Sequence, residues 1–378
     1  MVKHNDTRSV TNEETTKKRR VIIAGGGTGG HVYPALALAE AFRKRDAEVL
    51  FVGTRHGLES RAVPRRGFAI DFIDVRGLKG KGMGETMRNL SLLPRSFIQS
   101  VGVLRRFRPD VVVGVGGYAS GPAVVAAMIM GRATAIAEQN AVAGFTNRIL
   151  GRFVDAIFVT FAVTAQDFPR HKVMVTGNPV RREFYKRETA GTYGGDRFGI
   201  LVFGGSQGAR RLNQVVTDAL GELRDLFPRL CITHQTGGHD EGWVKDAYDA
   251  HGADATVTSF IDDMAAAFHR ADLVICRAGA TTVAELAAAG KAAVLVPYPY
   301  AIGDHQTLNA RVLVDAGAAL MIRDDEIDGP GVARVIRDCV GDTARVTEMG
   351  KIAVSLGNPR AADDMVDECF ALIERNDQ

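Results

Sequence analysis

Cysteine is scarce in this 378-residue chain and never paired: Cys231, Cys276, Cys339 and Cys369 lie far apart, each inside an apolar or amphipathic run. With no C-x-x-C pair there is no sign of zinc or thiol-redox chemistry, and a reducing cytoplasm fits best. A marked excess of one charge is also missing. Lysine and arginine total 47 against 44 acids, a formal net charge of +3, so attraction to an anionic partner has to come from local clustering. The first twenty residues are polar throughout and lack the apolar core of a secretory signal; residues 1–19 read as a disordered tail. One uncharged run, residues 111–131, has the length to span a bilayer. Gly114, Gly116, Gly117, Gly121 and Pro122 break it into a strand, a glycine turn and a helix, which reads as buried core.

What is present is apolar residues in a regular order. They make up 46% of the chain, and its length exceeds one ordinary core, so two domains are expected. From Val21 onward, short β-rich runs (VIIA, EVLFVG, FAIDFIDV, VVVGVG, ATAIAE, AIFVTF) alternate with amphipathic stretches. In the first of these stretches Val32, Leu36, Ala39 and Phe42 mark one buried face. The pattern lapses after VTGNPVRREF and restarts at GILVFGGSQGARRLNQVV, continuing through LCITHQTG, LVICRAG, AAVLVPYP and ALMIRD. Strand, glycine turn and helix open both halves. The expectation is an α/β protein of two doubly wound parallel sheets, residues 20–180 and 181–358, whose strand ends share a cleft. A terminal helix, 359–378, is expected to cross back onto the first domain.

Residues 25–34, GGGTGGHVYP, fit G-x-G-x-x-G with Gly25, Gly27 and Gly30 in register. A dinucleotide site also wants an acid at the end of the second strand. Thr54 and Arg55 stand there instead, which leaves NADP as a minor option. The loop still offers backbone N–H groups at a helix N-terminus, where phosphate binds well. GGSQGA (204–209) and CRAGATT (276–282) repeat the device. No D-x-D pair and no cluster of metal ligands occurs, so no firmly bound cofactor is expected, only a loosely held Mg²⁺.

In chain order, GGGTGGHVYPALALAEAF, VGGYASGP, AEQNAVAGFTN, GNPVR, GGSQGARRLN, FIDDMAAAF, CRAGATTVAELAAAGKAAVLVPYP and DHQTLNA closely resemble the motifs of the MurG family, the undecaprenyl-diphospho-muramoylpentapeptide β-N-acetylglucosaminyltransferases of bacterial wall synthesis. The resemblance runs from about Val21 to the end. It implies a GT-B fold of two Rossmann-like domains. It also implies transfer of GlcNAc, with inversion, from UDP-GlcNAc to the C4 hydroxyl of lipid I, giving lipid II at the cytoplasmic face of the cell membrane. Alternatives are an NADP-dependent oxidoreductase, a UDP-GlcNAc 2-epimerase-like isomerase, and a nucleotide-sugar binder that turns over nothing.

By the same resemblance Glu285 accepts the ribose hydroxyls; its position is expected on the first turn of a helix, where a purely structural carboxylate would also be stabilised. Ala280, Thr281, Thr282, Val283 and Ala284 adjoin it in the motif, the first three giving amides and hydroxyls to the donor diphosphate together with Ser206. Arg181 adds a fork-shaped cation. Ile261 matches the position whose backbone reads uracil, and Asn140 and Gln306 match sugar-contacting amides. Thr28, Gly29 and Gly30 match donor-contacting positions, the loop as a whole is also open to the acceptor diphosphate, and Tyr118 faces the same cleft. His31 is the candidate base, at a helix start where the dipole disfavours an added proton. Glu138 is the rival base. Ala137, before it, departs from relatives that carry histidine there, so an imidazole role at that position is absent.

Residues 76–108 hold eight arginines and lysines against one acid, Glu85. Leu78, Lys79, Lys81, Met83, Met87, Arg88, Leu90, Leu93 and Phe97 mix cations with apolar side chains as a surface touching anionic lipid headgroups does. The competing reading is an amphipathic helix packed on its own sheet. Nucleic acid is not expected as a partner, because the stretch lacks aromatic spacing or a groove-reading motif.

Overall fold

The computed structural model describes residues 18–75, 83–186, 197–376 and 378, with the backbone alone at 83–92. The expected run at Leu78, Lys79 and Lys81 lies outside the described residues, as does most of the loop that ends near Arg197.

The first half alternates β1 (Arg20–Ala24), α1 (Gly29–Lys44), β2 (Glu48–Gly53), α2 (Glu59–Arg65), β3 (Ala69–Phe72), α3 (Met83–Phe107), β4 (Val111–Gly114), α4 (Ser120–Ile129), β5 (Ala133–Glu138), α5 (Phe145–Leu150), β6 (Ala156–Val159) and β7 (Val173–Val175). Its strands form one parallel sheet in the order β3-β2-β1-β4-β5-β6-β7. β4 and β6 are apolar and buried along their whole length, and β1 is so after Arg20, as strands covered on both faces must be. On one face α1 presents Val32, Leu36, Ala39 and Phe42, all buried; α3 and α4 cover the other.

The second half repeats the scheme with β8 (Phe198–Phe203), α6 (Arg210–Asp218), β9 (Leu230–Gln235), α7 (Glu241–His251), β10 (Ala255–Thr258), α8 (Met264–Arg270), β11 (Leu273–Cys276), α9 (Ala280–Ala289), β12 (Ala292–Leu295), α10 (His305–Asp315), β13 (Ala319–Met321), α11 (Gly329–Gly341) and α12 (Thr343–Leu356). The sheet runs β10-β9-β8-β11-β12-β13, again parallel throughout.

The last helix, α13 (Ala361–Asn376), packs on α1 and against β5 in the first sheet. Met365, Val366, Cys369, Leu372 and Ile373 are buried there, worth on the order of 10 kcal/mol as an upper estimate. Arg45 to Asp367 at 2.9 Å and Arg19 to Glu374 at 2.6 Å flank the contact. The α13 helix therefore straps the second half to the first.

In both sheets the strand order reverses beside the first strand of the half: between β1 and β4, and between β8 and β11. Connections leave to opposite sides at such a point, and a crevice opens at the carboxyl ends of the strands. Each glycine-rich turn of the sequence sits at one of these two reversals.

Candidate functional site

At the first reversal two glycine turns interlock. The Gly26 N–H donates to the Gly116 carbonyl at 3.2 Å, and a Cβ on Gly117 (φ +77°) would overlap the Gly26 backbone, so only glycine allows the turns to touch. The amides of Thr28, Gly29 and Gly30, at the start of α1, have no partner among the described residues. At the second reversal the first three amides of α9, on Ala280, Thr281 and Thr282, are equally unspent, since its first internal bond runs from Val283 N–H to the Gly279 carbonyl. Ser206 is exposed in the turn after β8.

The two cradles meet. Thr281 Oγ donates to the Gly30 carbonyl at 2.9 Å and accepts from Asn178 Nδ2 at 3.4 Å. Asn309, fully buried on α10, accepts the Ala141 N–H at 2.9 Å and donates to the Ala278 carbonyl at 3.2 Å. Its Nδ2 also reaches Asn140 Oδ1 at 3.5 Å. Asn309 thus ties the loop after β5 to the loop before α9.

His31 lies in the first turn of α1, with its ring against Gly116. A Cβ there would approach the imidazole to 2.7 Å. His31 Nδ1 is 3.1 Å from Gln139 Oε1, while Gln139 Nε2 donates to the Val115 carbonyl at 3.2 Å. That second bond turns the amide oxygen toward the ring, so Nδ1 donates to it, and in the neutral ring the lone pair falls on Nε2. Glu138 stands differently. It is buried, and its oxygens accept from Asn140 N–H (3.0 Å), Asn140 Nδ2 (3.3 Å), Gly144 N–H (2.9 Å) and Asn147 Nδ2 (2.9 Å). A carboxylate filled by four donors holds its loop together. Tyr118 is exposed beside the glycine turn.

Glu285 is in the second turn of α9, one turn beyond the position expected from the sequence, because the helix starts at Ala280. A helix-terminus account of its charge therefore fails, since that effect fades within the first turn. Its carboxylate is buried and accepts from Arg181 Nη2 at 3.2 Å. Burial pushes the carboxyl above its ordinary range, and Arg181 pulls it back only in part. Arg181 in turn lies over the Tyr33 ring at 4.4 Å and the Phe184 ring at 4.9 Å, and its buried Nε has no partner among the described residues. Ile261 spends its N–H on Gln235 Oε1 at 2.8 Å, which leaves its carbonyl as the backbone group able to meet a base. Gln306 Oε1 accepts the Tyr298 N–H at 2.9 Å, leaving its NH₂ as donor. Val283 is buried and Ala284 half-buried on α9, and both belong to the apolar packing of that helix.

Arg55, on which an NADP reading depended, lies over the Phe72 ring at 5.1 Å. Gln139, Asn147, Asn178 and Asn309 are the site residues that the sequence reading misses. The stretch expected to touch lipid is described only in part. Met83, Met87, Arg88 and Leu90 are described by their backbone alone, at the start of α3. Leu93 and Phe97 are half-buried and pack on the core of the first half. The outward apolar side chain of that turn is Ile98. Among the described residues no helix is long and apolar enough to cross a membrane, and no group of three His, Cys, Asp or Glu is placed to hold a metal ion.

Residues 21–159 match the glycosyltransferase family 28 N-terminal domain and residues 199–365 the glycosyltransferase family 28 C-terminal domain. Over 348 residues the chain is 50% identical to the UDP-N-acetylglucosamine–N-acetylmuramyl-(pentapeptide) pyrophosphoryl-undecaprenol N-acetylglucosamine transferase of Myxococcus xanthus, covering 92% of this chain and 91% of that one. The enzyme of the same name from Anaeromyxobacter dehalogenans is 52% identical over 353 residues, with 92% and 91% covered. The crystal structure of Acinetobacter baumannii MurG superposes with a TM-score of 0.73 at 34% identity, over 93% of this chain and 99% of that one. With both halves matched and half of the residues shared over nearly the whole length, the chain belongs to glycosyltransferase family 28 and, within it, to the MurG family.

Proposed function

We propose that the protein transfers GlcNAc from UDP-GlcNAc to the C4 hydroxyl of lipid I, with inversion, to give lipid II. The observation that carries this reading is the meeting of two sets of unspent helix-start amides across the Thr281–Gly30 hydrogen bond. One set suits a leaving diphosphate and the other an acceptor that also carries one.

On the donor side, the Ile261 carbonyl accepts from the uracil ring, Glu285 takes the ribose hydroxyls, and Ala280, Thr281, Thr282 and Ser206 hold the diphosphate. Arg181 leaves Glu285 as the ribose replaces it and adds its charge to the phosphates. Its spare Nε donor supports this exchange. Gln306 and the Asn140 loop hold the sugar.

On the acceptor side, His31 Nε2 takes the proton from the C4 hydroxyl as that oxygen attacks the anomeric carbon. The bond from carbon to the UDP oxygen breaks, and its electron pair leaves with UDP, neutralised by amides and Arg181. Glu138 anchors the loop that carries Gln139 and Asn140.

The lipid carrier requires an approach to the membrane surface. Exposed Ile98, Ile129, Phe145, Ile149 and Phe153 lie on or beside the neighbouring helices α3, α4 and α5, with exposed Arg95, Arg148 and Arg152 among them. Apolar tips ringed by arginine favour peripheral contact with anionic headgroups. The purified protein tests the main reading. Given UDP-GlcNAc with and without a polyprenyl-diphosphoryl muramoyl-peptide analogue, it should release UDP only with acceptor, whereas equal release in both would overturn the proposal.

A further inference from the structure

Beneath the first glycine turn lies a carboxylate that the reaction above does not use. Glu59, the first residue of α2, is 1% exposed. Its Oε2 accepts the Gly27 N–H at 2.6 Å, and its Oε1 accepts both the N–H and the hydroxyl of Thr54 at 2.8 Å. Three glycines make room for it, since a Cβ on Gly26, Gly53 or Gly57 would overlap the Glu59 side chain. A buried carboxylate is tolerated only where donors surround it, and here two of the donors are backbone groups just past the ends of β1 and β2.

The consequence is a division of the loop's amides. Gly25 N–H goes to the Val52 carbonyl, Gly26 N–H to Gly116 and Gly27 N–H to Glu59, so only the amides of Thr28, Gly29 and Gly30 remain for a ligand. An internal anion already sits where a glycine-loop amide would meet an external one. His31 comes next, and its ring rests on Gly116, which is itself bonded to Gly26. We infer that Glu59 is a positioning residue for the transfer: by holding Gly27 it sets the free amides toward the cleft and keeps His31 against Gln139. The inference rests on the assignment of His31 as base.

Glu59→Gln keeps the size of the side chain but has one acceptor oxygen where the carboxylate has two, so either the Gly27 N–H or the Thr54 N–H faces an NH₂ group, and in both orientations the Gly27 amide loses its charged partner. The expected result is a kcat with the lipid-linked acceptor analogue at least tenfold lower, with a UDP-GlcNAc dissociation constant, by calorimetry, within threefold of wild type. In ¹⁵N-resolved spectra the Gly27 amide proton, shifted downfield by its charged partner, should move upfield. Wild-type kcat in Glu59→Gln, or equal losses in kcat and donor affinity, would overturn the inference. Should that variant not fold, Gly57→Ala displaces the carboxylate while leaving its charge, and the same split between kcat and donor affinity is required of it. Wild type assayed alongside separates the two readings: if it releases no UDP with acceptor, the transferase proposal falls, whereas an active wild type beside an equally active variant removes only the role of Glu59.

Discussion

His31, in the first turn of α1, and Glu138, at the end of β5, are both ionisable, and their neighbours leave them differently placed to take a proton. Among the described residues the imidazole has one partner, Gln139, on Nδ1 and none on Nε2; the carboxylate accepts from four donors. His31→Ala should therefore lower kcat by about 10²–10⁴-fold, the usual range for a lost general base, with UDP-GlcNAc affinity nearly unchanged in a direct titration. Gln139→Leu removes the group that fixes the ring, and a kcat about tenfold lower at unchanged donor affinity is expected from looser alignment alone. Glu285→Ala acts on the other substrate. It loses the ribose contacts and strands Arg181 in a buried site, so UDP-GlcNAc should bind about 10- to 100-fold more weakly, the equivalent of about 1.5–3 kcal/mol for hydrogen bonds to a charged group.

At the scale of elements, α10 and β9 carry polar side chains whose cost and use are readable. Asn309→Ala leaves the Ala141 N–H and the Ala278 carbonyl buried without partners, a penalty of about 1–3 kcal/mol. Because those groups belong to opposite halves, denaturant midpoint and turnover should fall together. On β9, His234 is fully buried between Asn213 (3.1 Å) and Tyr248 (3.1 Å), and burial pushes its pKa down to about 3. Between pH 6.5 and that value the unfolded chain takes up a proton that the native state refuses, so acid favours unfolding there. Acidification from pH 6.5 to pH 5 should cost about 2 kcal/mol through this residue. Denaturant titrations of His234→Gln should lack that part of the slope; an unchanged slope would refute the assignment. The strands absent from the sequence reading, β7 and β10, are edge strands of three and four residues with no fully buried position. A strand with one neighbour and one covered face needs no long apolar run, and so leaves little trace in the pattern.

For the whole molecule, the arrangement is two sheets facing each other through their strand-end loops, fastened by α13 and by the Thr281–Gly30 and Asn309–Ala141 bonds. One outer face carries apolar tips and arginines. Replacing Phe145 and Phe153 together by Asp should abolish sedimentation with phosphatidylglycerol vesicles and leave UDP-GlcNAc binding intact, and binding by the unaltered protein should weaken as salt is raised.

The alternation of apolar runs and amphipathic helices, the glycine turns, and with them two parallel sheets are determined by the sequence alone. Each is a pattern confined to a few dozen neighbouring residues. The tertiary structure alone decided which polar groups are spent and which are free. Gln139 lies 108 residues from His31, Asn309 lies 168 from Ala141, and Glu59 lies 32 from Gly27. Hydrogen-bond saturation depends on groups that meet only where strands distant in the chain end side by side, and no local period encodes that meeting.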